Sequence, residues 1–500
     1  MTGVQTCALP ISHGVTVNIL SSALAGVQGV PVDVEVEVAP GIPAVRIVGL
    51  PDAAVGEARE RIRAAIRSSG FTWPARRITV NLAPADLRKS GGSFDLPIAL
   101  GILAASGQLH LQNSVVGAIG ELALDGRVRD VPGSLPLALT LLDVCELLLM
   151  PNAPGINSIP LSHTSTRCIA VTSLADAAAV IEGQARPDRS LSACQVQEDD
   201  VVHETTDLGA QELSEIRGQP LMIRGLMLAA TARVPILLEG APGVGKSMAA
   251  RALHGILPDL ANAEKLEVAA IASAGGRSAH HTMRPPLRAP HHDLTVAGLI
   301  GGGTRLTPGE MTWAHRGLLV LDEIGEFRRD TIEALREPLE TRAVRLSRAG
   351  RSIAFPADAL VVATGNPCAC GELVSPEGAC RCTSVGRRHG SLALSAPIRS
   401  RFGIKVRLAA PSRALSLIPS GGITTALARE RVMLARAACS APTDRERRFR
   451  AAVRRGALPV LSGRTAVHVR ELAVACATLD GRDTVGESDI AEALFFAGRR

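Results

Sequence analysis

The residues best suited to chemistry form one stretch, Gly240-Ala241-Pro242-Gly243-Val244-Gly245-Lys246-Ser247. Its spacing predicts a phosphate loop, because glycines let backbone N–H groups curl around a triphosphate. Lys246 would reach the β- and γ-phosphates, and the Ser247 hydroxyl would bind Mg²⁺. Together with Met248, the stretch opens a helix whose N-terminus favours anions. A glycine-rich turn that binds nothing is the alternative, but the complete spacing favours binding of a nucleoside triphosphate.

Two more groups of polar residues follow apolar runs further along the chain. Asp322 and Glu323 come directly after the run at 317–321, and Asn366 follows the run at 359–365. Ligands bind at the carboxyl ends of the strands in an α/β sheet, so we expect these side chains to meet the phosphate loop. Asp322 would hold Mg²⁺, Glu323 would polarise the attacking water, and Asn366 would orient that water or the γ-phosphate. Each of the three could instead be an ordinary turn residue.

Hydrophobic periodicity predicts the elements that must position these residues. A strand at 234–239 precedes the phosphate loop, and a helix at 248–257 follows it. Upstream, strands at 34–38, 44–48 and 77–82, with helices beginning near Asp52 and Asp95, predict an α+β domain. After about residue 411, apolar residues recur at helical spacing and predict a helical lid. Four residues are expected on the buried face of that lid: Val467, Leu472, Cys476 and Leu479.

The composition is that of a globular protein. Hydrophobic residues make up 46% of the 500 residues and charged residues 20%. The sequence contains no uncharged apolar run of about 18 residues, so no membrane helix is predicted. The N-terminus lacks the basic start of a secretory signal, so no such signal is expected. Ten mostly scattered cysteines favour a reducing, cytoplasmic setting. Aromatic residues are only 2% and the net charge is +6, so any nucleic-acid contact would depend on charge instead of base stacking.

One cluster of cysteines and one pair of histidines have metal-ligand character. Four thiols fall within fifteen residues: Cys368, Cys370, Cys380 and Cys382. A closed tetrahedral Zn²⁺ site suits such a cluster, although the C-x-C spacing is less usual than C-x₂-C. Free thiols, an iron–sulfur cluster and disulfides remain alternatives. His291 and His292 could also bind a metal, but adjacent side chains are expected to point apart, which favours a structural loop.

Several strings resemble one known family, the ComM/YifB magnesium-chelatase-like AAA+ ATPases. IVGLPD at 47–52, VNLAP at 80–84 and GSFDLPIAL at 92–100 resemble the N-terminal domain of that family. RAPHH at 288–292 and LIGGG at 299–303 resemble its insertion in the ATPase core. The resemblance implies an α/β fold class, in which an AAA+ phosphate-loop parallel sheet with a helical lid follows an α+β domain similar to the Lon protease domain. It also implies that the nucleotide is ATP.

The Lon-like N-terminal domain is expected to be inactive as a protease. Lon-type proteolysis needs a serine that is activated by a lysine. Ser93 falls where that serine would lie, but Pro136 stands where the lysine is needed, and proline offers no base. We therefore interpret Ser93 as a turn residue and the domain as structural or partner-binding.

The resemblance also implies roles for two arginines. Arg401, in Ser400-Arg401-Phe402, matches the motif that carries the arginine finger in related ring ATPases, and Arg464 matches the sensor 2 position. An arginine finger acts on the nucleotide of a neighbouring subunit, so the pair implies a homo-oligomeric ring, most simply a hexamer. With so many arginines in the chain, either residue could instead be a surface charge.

A basic hairpin is the predicted DNA contact. Residues 342–355 alternate apolar and basic side chains around Arg348-Ala349-Gly350, which is a hairpin signal. The segment resembles the pre-sensor-1 hairpin that MCM helicases direct into the ring channel. Arg348 and Arg351 would grip phosphates without reading sequence. An ordinary solvated hairpin is the alternative.

These observations predict four segments: an N-terminal domain at 13–183, a polar linker at 184–212, the ATPase core at 213–410 and the lid at 411–500. The function implied by the resemblance is that of an ATP-driven ring motor on DNA, such as a helicase or branch-migration factor in the uptake and recombination of transforming DNA. The alternative is a chelatase-type ATPase that remodels a protein partner. No membrane partner is expected.

Overall fold

A computed structural model describes residues 15–50, 53–87, 89, 91–112, 114–152, 164–184, 211–277, 283–303, 306–348, 351–368, 370, 380–383, 394–408, 422–438 and 463–498. For residues 53–56, 348 and 351 it describes the backbone alone. The chain divides into two compact units. Residues 1–201 and 269–281 form the first unit, and residues 202–268 and 282–500 form the second. The described residues 269–277 therefore group with the first unit, although the predicted boundaries include them in the ATPase core.

The first unit is built on a mixed seven-stranded sheet of order β3-β4-β2-β1-β5-β8-β9. Strands β4, β2 and β1 pair antiparallel, and the remaining pairs are parallel. Its elements are β1 (Val15–Ala25), β2 (Gln28–Ala39), β3 (Ala44–Val48), α1 (Ala53–Ser68), β4 (Arg77–Ala83), α2 (Asp95–Ala105), β5 (Val116–Ala118), β6 (Glu121–Leu122), β7 (Val128–Arg129), α3 (Ser134–Leu141), β8 (Leu147–Pro151), β9 (Arg167–Val171) and α4 (Leu174–Ile181).

Alternating and helical apolar patterns explain why this unit folds as it does. Every second residue of β2 from Val32 to Val38 is buried, so one face of the strand lies in the core. In α1, the predicted apolar face is buried at Ala58, Ile62 and Ile66. Asp52, the predicted N-cap of α1, lies outside the described residues. The predicted strands and helices of this unit agree with the structure to within a few residues, except that β2 begins earlier.

The second unit is built on a five-stranded sheet of order β11-β14-β17-β10-β18, in which every pair is parallel. Its elements are α5 (Pro220–Ala232), β10 (Ile236–Gly240), α6 (Lys246–Ile256), α7 (Asn262–Ala274, of which residues 269–274 group with the first unit), β11 (Leu287–Arg288), α8 (Val296–Ile300), β12 (Gly301–Gly302), β13 (Thr307–Pro308), α9 (Glu310–Trp313), β14 (Leu318–Leu321), α10 (Arg329–Glu333), α11 (Pro338–Thr341), β15 (Ala343–Arg348), β16 (Arg351–Pro356), β17 (Leu360–Gly365), α12 (Ala396–Arg399), β18 (Ile404–Leu408), α13 (Thr425–Ala437), α14 (Gly463–Leu479) and α15 (Glu487–Phe496).

The order of this sheet decides where polar residues meet. Strand β10 is an interior strand, with β17 on one side and the edge strand β18 on the other, and β14 lies next to β17. All residues of β10, β14 and β17 are buried, as expected for strands covered on both faces. Because the strands are parallel, the residues that follow β10, β14 and β17 lie at the same edge of the sheet.

The lid helices belong to the same hydrophobic core as the sheet. Leu472, Cys476 and Leu479 of α14 are buried in one cluster with the strands, as predicted. Val467 was expected on the same face, but this expectation is wrong, because its side chain is 45% exposed. The buried part of α14 begins only at Val469, so the first turns of the helix extend beyond the core. In the part of the chain that the structure describes, no helix has the length and apolarity needed to cross a membrane.

Candidate functional site

The loop between β10 and α6 has the backbone that its glycines permit. Gly243 and Gly245 adopt φ angles of +79° and +88°, which side-chain-bearing residues rarely adopt. Gly240 is required for a different reason, since a Cβ there would lie 2.9 Å from the Cβ and the carbonyl oxygen of Leu408 in β18. Gly245 caps α6, so the N–H groups of the first helical turn point into the loop. The local structure is therefore that of a phosphate loop.

Lys246 lies at the centre of the site. Its Nζ donates hydrogen bonds to the carbonyl oxygens of Gly240 at 2.7 Å and Ala241 at 2.8 Å, and to Oδ1 of Asn366 at 2.9 Å. Burial lowers the pKa of this ammonium, while the negative charges of Asp322 and Glu323 act in the opposite direction. The structure thus brings Lys246 and Asn366, which are 120 residues apart in sequence, into direct contact.

A second contact joins α6 to the end of β14. The Ser247 hydroxyl donates to the carboxylate of Asp322, with Oγ–Oδ2 and Oγ–Oδ1 distances of 2.9 and 3.1 Å. A serine hydroxyl beside an aspartate carboxylate is the oxygen-rich environment that Mg²⁺ prefers, and both side chains are accessible to solvent. The residues present therefore fit a Mg²⁺ ion, which would be held by Ser247 and Asp322.

Thr364 bonds to the side chain of Asp322 and to the backbone of Glu323, and its type and position in the sequence did not reveal this role. Its buried hydroxyl donates to Oδ1 of Asp322 and accepts a hydrogen bond from the backbone N–H of Glu323 at 3.0 Å. Its carbonyl oxygen accepts from the N–H of Ile324 at 2.8 Å. Together these bonds hold Glu323 at a φ of +52°, where glutamate is seldom found. The available signal was a hydroxyl residue at the end of an otherwise apolar strand.

Glu239, the residue before the loop, is a second feature that the sequence did not reveal. Although it lies in the apolar run of β10, its side chain is only 2% exposed and forms ion pairs with two arginines. Arg399 Nη2 lies 2.7 Å from Glu239 Oε1, and Arg407 Nε lies 3.4 Å from Oε2. This buried ion pair connects the strand that carries the phosphate loop with α12, which ends two residues before Arg401.

The structure brings the two predicted arginines together at a residue that the sequence did not indicate. Arg401 Nη2 and Arg464 Nη2 each lie 2.8 Å from the carboxylate of Glu340 on α11. Arg464 Nη1 also lies 3.4 Å from the Ser400 hydroxyl. Among the described contacts, Arg401 bonds to Glu340 and to the carbonyl oxygens of Arg336 and Pro397, and Arg464 bonds to Glu340 and Ser400. None of these contacts joins either arginine to Lys246 or Asp322. Their roles remain predictions.

The predicted hairpin forms, with β15 paired antiparallel to β16. Arg348 is the register partner of Arg351, so the two residues face each other across the turn. The structure does not describe their side chains or residues 349 and 350. At the base of the hairpin, Val344 and Phe355 are buried, which anchors it to the second unit. DNA contact by the tip stays a prediction.

The four cysteines converge as a metal site requires. Their Sγ atoms lie within 4.8 Å of one another, with Sγ–Sγ distances of 3.4 Å for Cys368–Cys370, 3.7 Å for Cys368–Cys380 and 3.8 Å for Cys370–Cys380. Cys382 accepts a hydrogen bond from the N–H of Cys370 at 3.3 Å. These separations are too long for disulfides, which need about 2 Å. The disulfide alternative is therefore wrong for the described cysteines.

The adjacent histidines do not point apart. The ring centroids of His291 and His292 are 4.0 Å apart, and His291 Nδ1 lies 3.2 Å from the Asp293 carboxylate. The expectation from helical geometry is wrong here because this segment is an irregular turn. All three side chains are accessible to solvent, so the turn shows no enclosed site.

Ser93 of the first unit has no identified base. It is 5% exposed, and its carbonyl oxygen accepts a hydrogen bond from the N–H of Gly120. The buried Lys89 lies near it in sequence, but the hydrogen bond described for Lys89 Nζ goes to the carbonyl oxygen of Pro84. Pro136 lies in the first turn of α3. These contacts agree with a structural role for Ser93.

Two family models match this chain. The model described as "Magnesium chelatase, subunit ChlI" matches residues 212–415, which contain the phosphate loop, Asp322, Asn366 and Arg401. The model described as "Subunit ChlI of Mg-chelatase" matches residues 34–153 of the first unit. The two matches together span both units.

Individual relatives match over most of the chain. The uncharacterized protein YifB of Salmonella typhimurium is 37% identical over 419 residues, which cover 83% of this chain and 80% of YifB. The competence protein ComM of Haemophilus influenzae is 37% identical over 424 residues, which cover 84% of this chain and 81% of ComM. The magnesium-chelatase 38 kDa subunit of Acidiphilium rubrum is 27% identical over 177 residues, which cover 30% of this chain and 51% of that subunit.

Proposed function

The chain belongs to the family of magnesium-chelatase-like AAA+ ATPases that includes YifB and ComM, and from this membership we propose that it is an ATP-hydrolysing ring motor that acts on DNA. The family implies ATP as substrate and Mg²⁺ as its metal. The observation that carries the proposal is the convergence of Lys246, Ser247, Asp322 and Asn366 at one sheet edge. This arrangement supports binding and hydrolysis of a triphosphate.

The residues divide the chemistry between them. Lys246 and the N–H groups of the loop would bind the phosphates, and Ser247 and Asp322 would hold Mg²⁺, which would supply positive charge against the phosphates. Glu323 acts as the base that polarises water. Asn366, held by Lys246, orients that water or the γ-phosphate, as sensor 1 does in AAA+ proteins. The solvent-accessible position of Glu323 suits a residue that must meet water.

The ring is proposed from the arginines. Arg401 and Arg464 contact Glu340 within their own chain, and the described contacts do not join them to their own phosphate loop. We place them at the nucleotide of a neighbouring subunit, where a guanidinium stabilises charge in the transition state. A closed ring, most simply a hexamer, gives every nucleotide one such neighbour.

DNA is proposed as the partner on two grounds. The β15–β16 hairpin presents Arg348 and Arg351 on either side of its turn, and a relative of similar length is named a competence protein. We infer a helicase or branch-migration activity in the uptake and recombination of transforming DNA. The second candidate is a chelatase-type remodelling ATPase that acts on a protein partner, which the family model and the Acidiphilium relative favour.

The cysteine cluster is proposed as a structural Zn²⁺ site. Four thiolates at a Zn–S distance of about 2.3 Å in a tetrahedron lie roughly 3.8 Å apart. The Sγ–Sγ distances of 3.4, 3.7 and 3.8 Å are close to this value. Cys368 is only two residues from Asn366, so a bound ion would also stabilise the segment that carries the sensor residue.

The experiment that tests the function is the ATPase rate with and without forked DNA at two salt concentrations. We expect stimulation by DNA that falls as salt rises, because phosphate contacts release counterions. Replacing Arg348 and Arg351 with alanine should remove the stimulation and leave the basal rate unchanged. The matched control replaces Arg59 and Arg63, two exposed arginines of α1, and should behave like the wild type. A flat response to DNA would favour the remodelling ATPase, and normal turnover by Lys246→Ala would refute the site itself.

A further inference from the structure

Among the described residues, Glu340 is the carboxylate that Arg401 and Arg464 share. Each of its oxygens bonds to a different guanidinium: Oε2 to Arg401 Nη2 and Oε1 to Arg464 Nη2, both at 2.8 Å. The three residues come from α11, from the turn after α12 and from the first turn of α14. Neither the motifs nor the family match assigns Glu340 a role.

Arg401 is held in one orientation on its own subunit. Its Nε donates to the carbonyl oxygen of Arg336 at 2.8 Å, its Nη1 to the carbonyl oxygen of Pro397 at 2.7 Å, and its Nη2 to Glu340. The side chain is only 11% exposed. A guanidinium carries five N–H groups, so these three bonds leave two N–H groups, one on each Nη, for a further acceptor. Such geometry suits the bidentate binding of a phosphate.

The cluster carries excess positive charge. Two guanidinium groups share one carboxylate, and the Arg336 guanidinium, which is paired with Glu333, lies nearby. Burial lowers the pKa of Arg401, and the positive charge of the neighbouring Arg464 lowers it further. Two like charges on one carboxylate repel each other. Arg464 in turn holds the pKa of Glu340 below its usual range. A further anion would therefore be attracted to this group, because it would relieve the repulsion.

We propose that Glu340 is a positioning residue that holds Arg401 and Arg464 as one rigid pair, so that the terminal phosphate of a neighbouring subunit meets both guanidinium groups at once. This inference rests on the proposed ring. Glu340 does not touch the nucleotide. Its contribution is to cancel the repulsion between the two arginines and to fix their spacing before the neighbour's nucleotide reaches the transition state.

The test compares the steady-state kinetics of Glu340→Ala and Glu340→Gln with those of Arg401→Ala. Misplacing a catalytic group by about 1 Å lowers rates by roughly a hundredfold, so we expect Glu340→Ala to lower kcat between about tenfold and a hundredfold. The KM for ATP should change less than about twofold, because the phosphate loop is untouched. Glu340→Gln keeps the size but only one acceptor oxygen, because its amide NH2 can only donate, so it should hold one guanidinium and lose less activity than Glu340→Ala. The matched control is Glu337→Gln, since Glu337 is one turn away, 49% exposed and 4.0 Å from its nearest arginine.

A double-variant comparison separates positioning from a general structural role. If Glu340 acts through the arginines, adding Glu340→Ala to the variant that already combines Arg401→Ala with Arg464→Ala should produce no further loss of kcat. An additional loss, an unchanged kcat in Glu340→Ala, or a faster enzyme would overturn the inference. If Arg401→Ala itself leaves kcat unchanged, the proposed ring mechanism fails, whatever Glu340→Ala does. The thermal midpoint of Glu340→Gln should match the wild type, and a lower midpoint with a matching loss of rate would point to misfolding and overturn the positioning role.

Discussion

Replacing Arg399 with methionine should destabilise the second unit, because the buried Glu239 carboxylate then loses its nearest ion-pair partner. The Glu239 side chain is 2% exposed and lies in the interior strand β10, so its carboxylate cannot recover hydration when its closest partner is removed. Removing one partner of a buried ion pair costs about 3–5 kcal/mol. Arg407 remains 3.4 Å from the same carboxylate, which reduces the expected loss to about 2–4 kcal/mol of unfolding free energy.

The chain provides its own comparison for this prediction. Arg407 pairs with the same carboxylate but is 63% exposed, whereas Arg399 is 22% exposed. Arg407→Met should therefore cost less than about 1 kcal/mol, as exposed pairs do. Replacing Glu239 and Arg399 together with methionine should restore most of the stability, because no buried charge is then left without its partner.

The two tryptophans of the chain make the measurement specific to one unit. Trp313 lies in α9 of the second unit, and Trp73 packs against the core of the first. In a Trp73→Phe background, urea unfolding followed by the fluorescence of Trp313 reports the second unit alone. Equal losses below 1 kcal/mol for Arg399→Met and Arg407→Met would refute the reasoning. A double variant less stable than Arg399→Met would refute it as well.

Three further predictions follow from the site and its surroundings. Glu323→Gln should bind ATP normally but lower turnover by at least about a hundredfold, because a general base is lost. Nucleotide binding and phosphate release measure the two effects. Normal hydrolysis would mean that another residue is the base. Burial lowers the pKa of His468 to about 4, below its unfolded value of about 6.5, so its neutral form stabilises the fold above pH 6.5. That contribution, at most about 3 kcal/mol, should be lost as the pH falls from 6.5 to 4. His468→Gln should reduce the change in unfolding free energy over this pH range, measured by urea unfolding. An unchanged pH dependence in His468→Gln would refute the assignment. The purified chain should contain one Zn²⁺ by elemental analysis, and replacing Cys380 and Cys382 with serine should remove it and lower ATPase activity through Asn366; a metal-free but fully active wild type would contradict this.

The phosphate loop was predictable because its backbone is decided locally. Glycines at fixed spacing, an apolar strand before them and a helix after them determine most of that geometry, and β10 and α6 form within two residues of their predicted bounds. The positions of Asp322 and Asn366 followed from one rule, that parallel strands end at the same edge. The hairpin followed from alternation and a glycine turn in the same way.

Residues that act through tertiary contact could not be found in this way. Glu239 is a charge inside an apolar run, and only the approach of Arg399 from 160 positions away explains it. Thr364 and Glu340 are ordinary residue types whose partners depend on how strands and helices pack. Val467 shows that periodicity can also predict too much burial. Its spacing fits the buried face of α14, but the core does not reach that far along the helix. Periodicity describes which face is apolar, and the neighbouring elements decide how much of it is covered.

The conformation of Glu323 sets a limit on how stable this turn can become. A left-handed residue with a Cβ costs on the order of 1 kcal/mol, and glycine or asparagine would adopt the same φ of +52° more readily. Replacing Glu323 with glycine or asparagine is thus expected to stabilise the turn and, under the proposed mechanism, to remove the base that polarises water. Under the proposed mechanism, the stability of this turn and the hydrolysis of ATP therefore place opposite requirements on position 323.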